Sequence, residues 1–330
     1  MAGITVLSVT GGTIASHSLG DVEALLERDD VLVWVDVPEC SDEAVALLTD
    51  VLGCHPLAVR DCMQRNRVPR VRIYPHQQLL ILHGPQRGPS GHVHYLELDQ
   101  IIGEKYVVTV HGPINPTVPL EVALRETDNV RKRIEAGRLR PDSPYELSHA
   151  ITSSLTHRLE SFIEELTSDV WELERRVTGG HMGNPEDFLE ELFQARHGLL
   201  AVRTMGALGA EVLGRVAALE ARIPADDRPL VADATDQMNR IRNLADGERE
   251  YLQGVIEFYR ARAETKMTVA AERLAVIAVV TLPITALSSI YGMNIIVNGS
   301  THVGQLIVVL AIMAVMSALL LAWAKRRGWW

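Results

Sequence analysis

Two long apolar segments near the carboxyl end constrain this chain more than any other feature. The first runs from about Leu274 to Ile290 and the second from Gly304 to Ala324, and neither contains a charged residue. A helix that spans a bilayer needs about 20 predominantly apolar residues, and it must be helical because lipid offers no partners for backbone polar groups. Two such runs rarely occur in a soluble core. They therefore predict spanning helices at about 270–291 and 304–324 rather than a buried hairpin.

The basic residues around these segments indicate how they cross the membrane. Arg262, Lys266 and Arg273 precede the first segment and the run 325–327 (KRR) follows the second, whereas the loop 292–303 has no basic residue. Basic residues are enriched on the cytoplasmic side of spanning helices. We therefore expect a multi-pass protein of the plasma (inner) membrane, with both termini in the cytoplasm and the loop outside.

The acidity of the chain lies in the part that precedes the apolar segments. The formal net charge of the whole chain is −10, while the residues that flank the segments are basic. An acidic surface repels the phosphates of nucleic acid and is compatible with cations as partners. The composition thus argues against a nucleic-acid-binding protein.

The soluble part changes from a mixed to a helical pattern near residue 140. From Val31 the run VLVWVDV is typical of a strand, and the runs between about 71 and 112 are typical of further strands broken by Gly and Pro. We predict an α+β cytoplasmic domain at 1–140, a helical stalk region at 141–273 and a transmembrane pore domain at 274–330.

Long helices dominate the second half of the soluble part. The pattern predicts helices that start at Pro144, at Pro185 and near Leu230, and the third has no strong stop signal before Ile290. If it is continuous it spans 61 residues, roughly 90 Å at 1.5 Å rise per residue. A helix of that length acts as a stalk that carries mechanical information from the soluble part into the membrane.

The loop between the two apolar segments begins with the tripeptide Gly292-Met293-Asn294. Upstream, in order, come HPLAVRD at 55–61 and EKYVVTVH at 104–111. With these features, and over about 31–330, the chain resembles the CorA family of divalent-cation transporters. The magnesium members of that family carry a Gly-Met-Asn signature at the outer end of the first of two carboxy-terminal membrane helices.

The resemblance implies a transporter and not an enzyme. The family forms a funnel-shaped homopentameric channel in which five copies of the first membrane helix line the pore. Two helices cannot enclose a channel alone, and a closed cyclic ring is the usual solution for a symmetric assembly. The expected ion is Mg²⁺, both transported and regulatory; related proteins carry Zn²⁺, Co²⁺ or Ni²⁺, so these stay open as alternatives.

The resemblance implies a selectivity filter at Gly292, Met293 and Asn294. Magnesium dehydrates reluctantly and keeps several waters in most sites. Five Asn294 side chains would offer carbonyl oxygens to the water shell of the ion without stripping it, and Gly292 and Met293 would shape the loop. Taken alone, Asn294 is better interpreted as a polar helix cap near the membrane interface; its position between the two spans favours the ring.

Alignment to the family's pore-facing positions gives the predicted pore lining. In this view the leucines form apolar constrictions, which gate by dewetting, and a threonine hydroxyl exchanges a hydrogen bond with the passing water shell. Each residue taken singly is equally well an ordinary lipid-facing or helix-facing position. The predicted pore-lining residues are Thr285, Leu282, Leu274, Ala271 and Thr268.

The resemblance also implies regulatory metal sites between neighbouring subunits. Asp61 matches the family's acidic residue in the αβ domain, Glu257 matches the acidic residue of the neighbouring stalk, and Asp233 falls at a further acidic position. A bridging Mg²⁺ would hold the ring closed, and its loss would favour open states. The alternative for each carboxylate is a solvated surface charge. Arg60 stands beside Asp61 where an acidic residue can occur, which puts the second ion of this site in question.

Two functions other than a magnesium channel remain as alternatives. One is a zinc, cobalt or nickel transporter of the same fold, with proton coupling as a variant. The other is a membrane-anchored sensor that conducts no ion, in which the helices only hold the cytoplasmic ring. A pH-dependent flux distinguishes the first and a complete absence of flux distinguishes the second.

Overall fold

The computed structural model describes residues 3–180, 183–292 and 303–326. The chain divides into two compact units on either side of the boundary between Gly254 and Val255. The first unit holds a mixed sheet and most of the helices, and the second holds the end of one very long helix and the last helix. The helices are α1 (Val22–Leu26), α2 (Asp42–Ala46), α3 (Pro56–Met63), α4 (Leu120–Ala123), α5 (Arg125–Glu135), α6 (Pro144–Gly179), α7 (Pro185–Ala217), α8 (Arg228–Gly292) and α9 (Val303–Arg326).

Seven strands form one sheet in the order β2-β1-β3-β7-β6-β5-β4. Only β3 and β7 pair in parallel, and every other neighbouring pair is antiparallel. The central strands carry apolar residues on both faces, as expected of strands that are covered on both sides. The strands are β1 (Thr5–Thr10), β2 (Thr13–His17), β3 (Leu32–Val37), β4 (Arg70–Ile73), β5 (Gln78–Arg87), β6 (Val93–Ile102) and β7 (Tyr106–Val110).

One face of the sheet packs against the short helices α1, α2 and α3. Val33, Val35 and Val37 of β3 belong to a buried cluster that also contains Ala58 and Val59 of α3. Because side chains alternate along a strand, the residues between these valines point to the other face. α3 starts sharply because Pro56 occupies its first turn and the His55 side chain accepts a hydrogen bond from the backbone N–H of Leu57.

The opposite face of the sheet is tied to α6 by hydrogen bonds. Trp34 Nε1 donates to Thr109 Oγ1 at 3.1 Å within the sheet. Ser148 Oγ of α6 donates to Gln100 Oε1 at 2.7 Å, and Gln100 Nε2 donates to Thr152 Oγ1 at 3.2 Å. The polar atoms of this glutamine are thus satisfied, as a buried amide requires, and they fix the position of α6 on the sheet.

The helices α7 and α8 approach closely at two glycines. A Cβ atom at Gly206 would lie 2.9 Å from Cγ2 of Ile241 and 3.0 Å from the backbone nitrogen of Arg242, and a Cβ at Gly209 would lie 2.9 Å from the sulfur of Met238. At Gly206, where the neighbour is partly backbone, only glycine leaves room for this spacing. On the same pair of helices Arg203 Nε donates to Asp246 Oδ1 at 2.6 Å.

The second unit contains the two helices that are long and apolar enough to cross a membrane. Two helical stretches are long and apolar enough to cross a membrane: Arg228–Ile290, whose apolar part lies at its carboxyl end, and Leu306–Arg326. α8 is one helix of 65 residues and carries Pro283 within it. Leu274 and Leu282 are both 67 % exposed. Apolar side chains left open in this way over many turns indicate a surface that is covered by lipid or by other helices.

One buried acid in the first unit, Asp99, lies beside a second acid, Glu97. Asp99 of β6 is fully buried, and within the described part of the chain neither of its carboxyl oxygens has a hydrogen-bond partner. Burial, followed by the charge of the neighbouring Glu97, raises the pKa of Asp99 well above its usual range. Glu97 itself accepts hydrogen bonds from the backbone N–H and from Nδ2 of Asn66 at 2.8 and 2.6 Å. Burial raises the pKa of Glu97 as well, but the Asn66 hydrogen bonds oppose that rise, so Asp99 is the more strongly shifted member of the pair.

We predict that Asp99→Asn stabilises the protein at neutral and alkaline pH. The folded pKa lies above the unfolded value of about 3.9, so the cost of Asp99 is absent at pH below that value and grows as pH rises towards the folded pKa. The substitution removes this cost and should raise the stability by about 1–3 kcal/mol at about pH 8. The measurement is thermal unfolding of the full chain in detergent at about pH 5 and about pH 8.

The exposed Asp50 supplies the matched control, since Asp50→Asn removes an aspartate that is open to solvent. It should leave the pH dependence unchanged. Identical pH profiles for Asp99→Asn and the unmodified chain would show that Asp99 ionises normally in the folded protein.

Candidate ion pathway and ion-sensing residues

The five predicted pore positions share one face of α8. Their spacings of three, three, eight and three residues keep them within about 120° around the axis at 3.6 residues per turn. All five are exposed on the chain described here. The structure thus presents Thr268, Ala271, Leu274, Leu282 and Thr285 along one continuous open surface.

The two threonines on this face use their hydroxyl protons within the helix. Thr285 Oγ1 donates to the carbonyl oxygen of Thr281 at 2.9 Å, and Thr268 Oγ1 donates to that of Glu264 at 3.0 Å. This bonding to the preceding turn is common for threonine in helices. Each hydroxyl oxygen keeps its lone pairs for outside partners. It can therefore accept hydrogen bonds from the water shell of a hydrated cation.

The predicted selectivity filter lies only partly within the described residues. α8 ends at Gly292. Met293 and Asn294 fall outside the described residues. The role of Gly292, Met293 and Asn294 as a filter stays a prediction.

Asp61 lies on the buried side of α3 and is surrounded by arginines. Its carboxylate is ion-paired with Nε of Arg72, and Nη1 of Arg70 and Nη2 of Arg60 lie 3.6 and 4.0 Å from its oxygens. The Asp61 side chain is 5 % exposed. Arg70 and Arg72 are two residues apart on β4, so both point to the same face of the sheet. The close contact with Asp61 raises the pKa of Arg72.

These surroundings do not fit a bound dication at Asp61. One carboxylate faces three guanidinium groups, so a divalent cation would meet a net charge of the wrong sign. A regulatory magnesium site needs several oxygen ligands. Within residues 3–180, 183–292 and 303–326, no group of three or more His, Cys, Asp or Glu side chains could hold a metal ion. Within one chain Asp61 therefore lacks the oxygen ligands that Mg²⁺ needs, and its role as a ligand between subunits stays a prediction.

Asp233 is bonded to side chains of the first unit. Its Oδ2 lies 2.7 Å from Nε2 of His149 on α6 and accepts a hydrogen bond from Nε2 of Gln237 at 2.6 Å. The hydrogen bond with His149 is the main cause that lowers the pKa of Asp233. Partial burial opposes this shift, and the hydrogen bond with Gln237 adds to it. Half of the Asp233 side chain stays exposed. Glu257 lies in the second unit and is exposed.

The partners of Asp61 are the functional feature that the sequence prediction lacked. The sequence marks Arg60 as an unusual neighbour of Asp61, whereas nothing in it connects Arg70 and Arg72 with this aspartate. The signal was present: arginines spaced by two residues share one face of a strand. The sequence does not reveal that this face of β4 packs against α3.

Comparison with known proteins places the whole chain in one family. The family model described as CorA-like Mg²⁺ transporter protein matches residues 29–326. A protein named as a metal ion transporter, YfjQ of Bacillus subtilis, is 23 % identical over 318 residues, which is 93 % of each chain. The cobalt/magnesium transport protein CorA of Thermotoga maritima is 22 % identical over 325 residues, covering 94 % of this chain and 87 % of that protein.

The fold agrees with the same family. The complete structure of the CorA magnesium transporter from Methanocaldococcus jannaschii superposes with a TM-score of 0.81 at 16 % identity, covering 100 % of this chain and 99 % of that one. This confirms the predicted fold of an α+β unit, long helices and two carboxy-terminal apolar helices. The family consists of ion transporters, so the chain is not an enzyme. With the family model matched along nearly its full length, the chain belongs to the CorA-like Mg²⁺ transporter family.

Proposed function

We propose that this CorA-family divalent-cation transporter is a magnesium channel formed by five copies of the chain. The observation that carries the proposal is the open face of α8, where two threonines and two leucines lie on one side of a helix that ends at Gly292. Two spanning helices per chain cannot enclose an aqueous path. A cyclic ring gives every copy the same surroundings and closes around an axis.

The first step is recognition of the hydrated ion at the outer mouth. Removal of water from Mg²⁺ is costly, so a site that accepts the intact shell is favoured over one that replaces it. A ring of Asn294 side chains offers amide oxygens, which accept hydrogen bonds from the bound waters. Deeper on the same face, the Thr285 hydroxyl oxygen has a free lone pair for the same purpose because its proton is held by Thr281.

The second step is passage through two apolar rings. Leu282 and Leu274 project from the same face and each is 67 % exposed on the single chain. Rings of leucine narrow the path and expel water when the helices close up, which stops a hydrated ion. A small rotation of long helices then changes conduction without any charged gate. Thr268 and Ala271 continue the same face between Leu274 and the cytoplasmic part of α8.

The channel lies in the plasma (inner) membrane with both termini in the cytoplasm. The basic residues before α8's apolar part and after α9 support this orientation. Closure by cytoplasmic Mg²⁺ through Glu257 and Asp233 stays a prediction. Its physical basis is that like charges facing one another across subunits repel, and so move apart, when a bridging ion leaves. Asp61 has no part in this proposal, since its carboxylate is already neutralised by arginines.

Asn294→Ala is expected to abolish magnesium flux, because alanine cannot accept a hydrogen bond from the water shell. The measurement is Mg²⁺ entry into proteoliposomes with an internal indicator, at several internal Mg²⁺ concentrations. Asn298→Ala is the matched control, since it removes the same amide from the same outer loop. It should retain flux.

The same assay separates the alternatives. Flux of zinc but not magnesium, dependent on a pH gradient, would replace the proposal with a proton-coupled zinc transporter. A folded oligomer that passes no divalent ion would leave the non-conducting sensor. Equal flux in Asn294→Ala and Asn298→Ala would remove the amide ring from the mechanism.

Leu282→Ala is expected to raise magnesium flux severalfold at high internal Mg²⁺, because a wider ring stays wetted when the helices close. Leu287→Ala is the control: five residues along the helix, it faces about 140° away from Leu282. It should leave flux unchanged. The measurement is the same proteoliposome assay. Similar changes in both variants would mean that α8 turns a different face to the pore.

A further inference from the structure

The segment from Arg60 to Arg72 is strongly basic. It contains five arginines and one aspartate, in a chain whose formal net charge is −10. The arginines at 60, 70 and 72 keep 56, 41 and 32 % of their side chains exposed, while the Asp61 side chain is 5 % exposed. The surface above α3 and β4 is therefore positive, and its single carboxylate is hidden beneath guanidinium groups.

Asp61 is fixed by contacts that leave it no freedom to accept another partner. Its carboxylate forms an ion pair with Arg72 of β4, and Arg70 and Arg60 lie within ion-pair distance. The backbone carbonyl of Asp61 accepts a hydrogen bond from Nδ2 of Asn66 at 2.8 Å. The same amide group donates to Glu97 of β6 at 2.6 Å. The end of α3 is thus attached to β4 through Asp61 and to β6 through Asn66.

We infer that Asp61 is the internal anchor that holds α3 on the sheet through Arg72, and that this arginine surface repels divalent cations instead of sensing them. A dication that reached the carboxylate would have to displace Arg72, and would then lie beside two further guanidinium groups. The displaced arginine would lose its partner, and breaking such a pair is costly. Any regulation of the proposed channel by cytoplasmic Mg²⁺ therefore passes through other residues.

The inference concerns regulation of the proposed transport, yet its test does not depend on ion flux. Anything that binds only the folded state raises the unfolding temperature. A ligand residue and an anchor residue therefore differ in one quantity, which is the rise in unfolding temperature produced by Mg²⁺. Loss of a ligand reduces that rise, whereas loss of an anchor lowers the unfolding temperature equally with and without Mg²⁺.

The experiment is thermal unfolding of the full chain in detergent, metal-free and in saturating MgCl₂, for the unmodified protein, Asp61→Asn and Asp50→Asn. We expect Asp61→Asn to lower the unfolding temperature by roughly 5–15 °C in both conditions, with an unchanged Mg²⁺-dependent rise. Asp50→Asn, which changes an exposed aspartate, should leave both values unchanged. A smaller Mg²⁺-dependent rise in Asp61→Asn than in the unmodified protein would overturn the inference.

A second variant keeps the test decisive if Asp61→Asn does not fold. Arg60→Gln removes the most exposed of the three guanidinium groups, which lies 4.0 Å from the carboxylate, and leaves the Arg72 contact in place. If Asp61 is an anchor, the Mg²⁺-dependent rise stays as in the unmodified protein. If Asp61 is a ligand, loss of the neighbouring positive charge strengthens Mg²⁺ binding and enlarges the rise, which would refute the inference. Magnesium flux through either variant reports separately on the channel.

Discussion

The bilayer imposes the constraint on which the rest of this molecule depends. Lipid supplies no hydrogen-bond partners, so the two apolar segments must be helices with internally satisfied backbones. Two helices cannot surround a hydrated ion, so one chain alone is incomplete as a transporter. The surface of α8 must therefore suit two different environments, which are lipid or neighbouring helices on most sides and a more polar environment on one face. Much of it suits lipid or neighbouring helices, and one face carries small and hydroxyl-bearing residues such as Ala271 and Thr285.

The chemistry available on that face is neutral. Thr268 and Thr285 present hydroxyl oxygens whose protons are held by the preceding turn, and the leucines present none. A path of neutral acceptors binds the water shell more weakly than carboxylates would bind the bare ion. Weak contacts at several levels suit conduction, because an ion must leave each site as readily as it enters. The charged residues of α8 lie towards its amino-terminal part, away from the apolar segment.

The sequence predicts elements well where their pattern is strong and local. The run from Val31 predicts β3, which spans Leu32–Val37, and the prolines at 144 and 185 begin α6 and α7 as expected. The sequence pattern does not predict the hairpin of β1 and β2. β2 is a short strand at the edge of the sheet whose residues are mostly open to solvent, so it lacks the alternation that identifies a half-buried strand. Its existence depends on pairing with β1, which is a tertiary effect.

The candidate site shows why matching positions is not enough to assign a role. Asp61 stands in a sequence context that predicts an ion-sensing carboxylate, yet the role of a carboxylate is set by the charges within a few ångströms. Those charges come from Arg70 and Arg72, nine and eleven residues later on another element. Sensing by a bridging dication requires carboxylates that repel one another when the ion leaves. An aspartate already paired with arginine lacks that repulsion, which is why we propose that Asp61 stabilises the fold of its own chain.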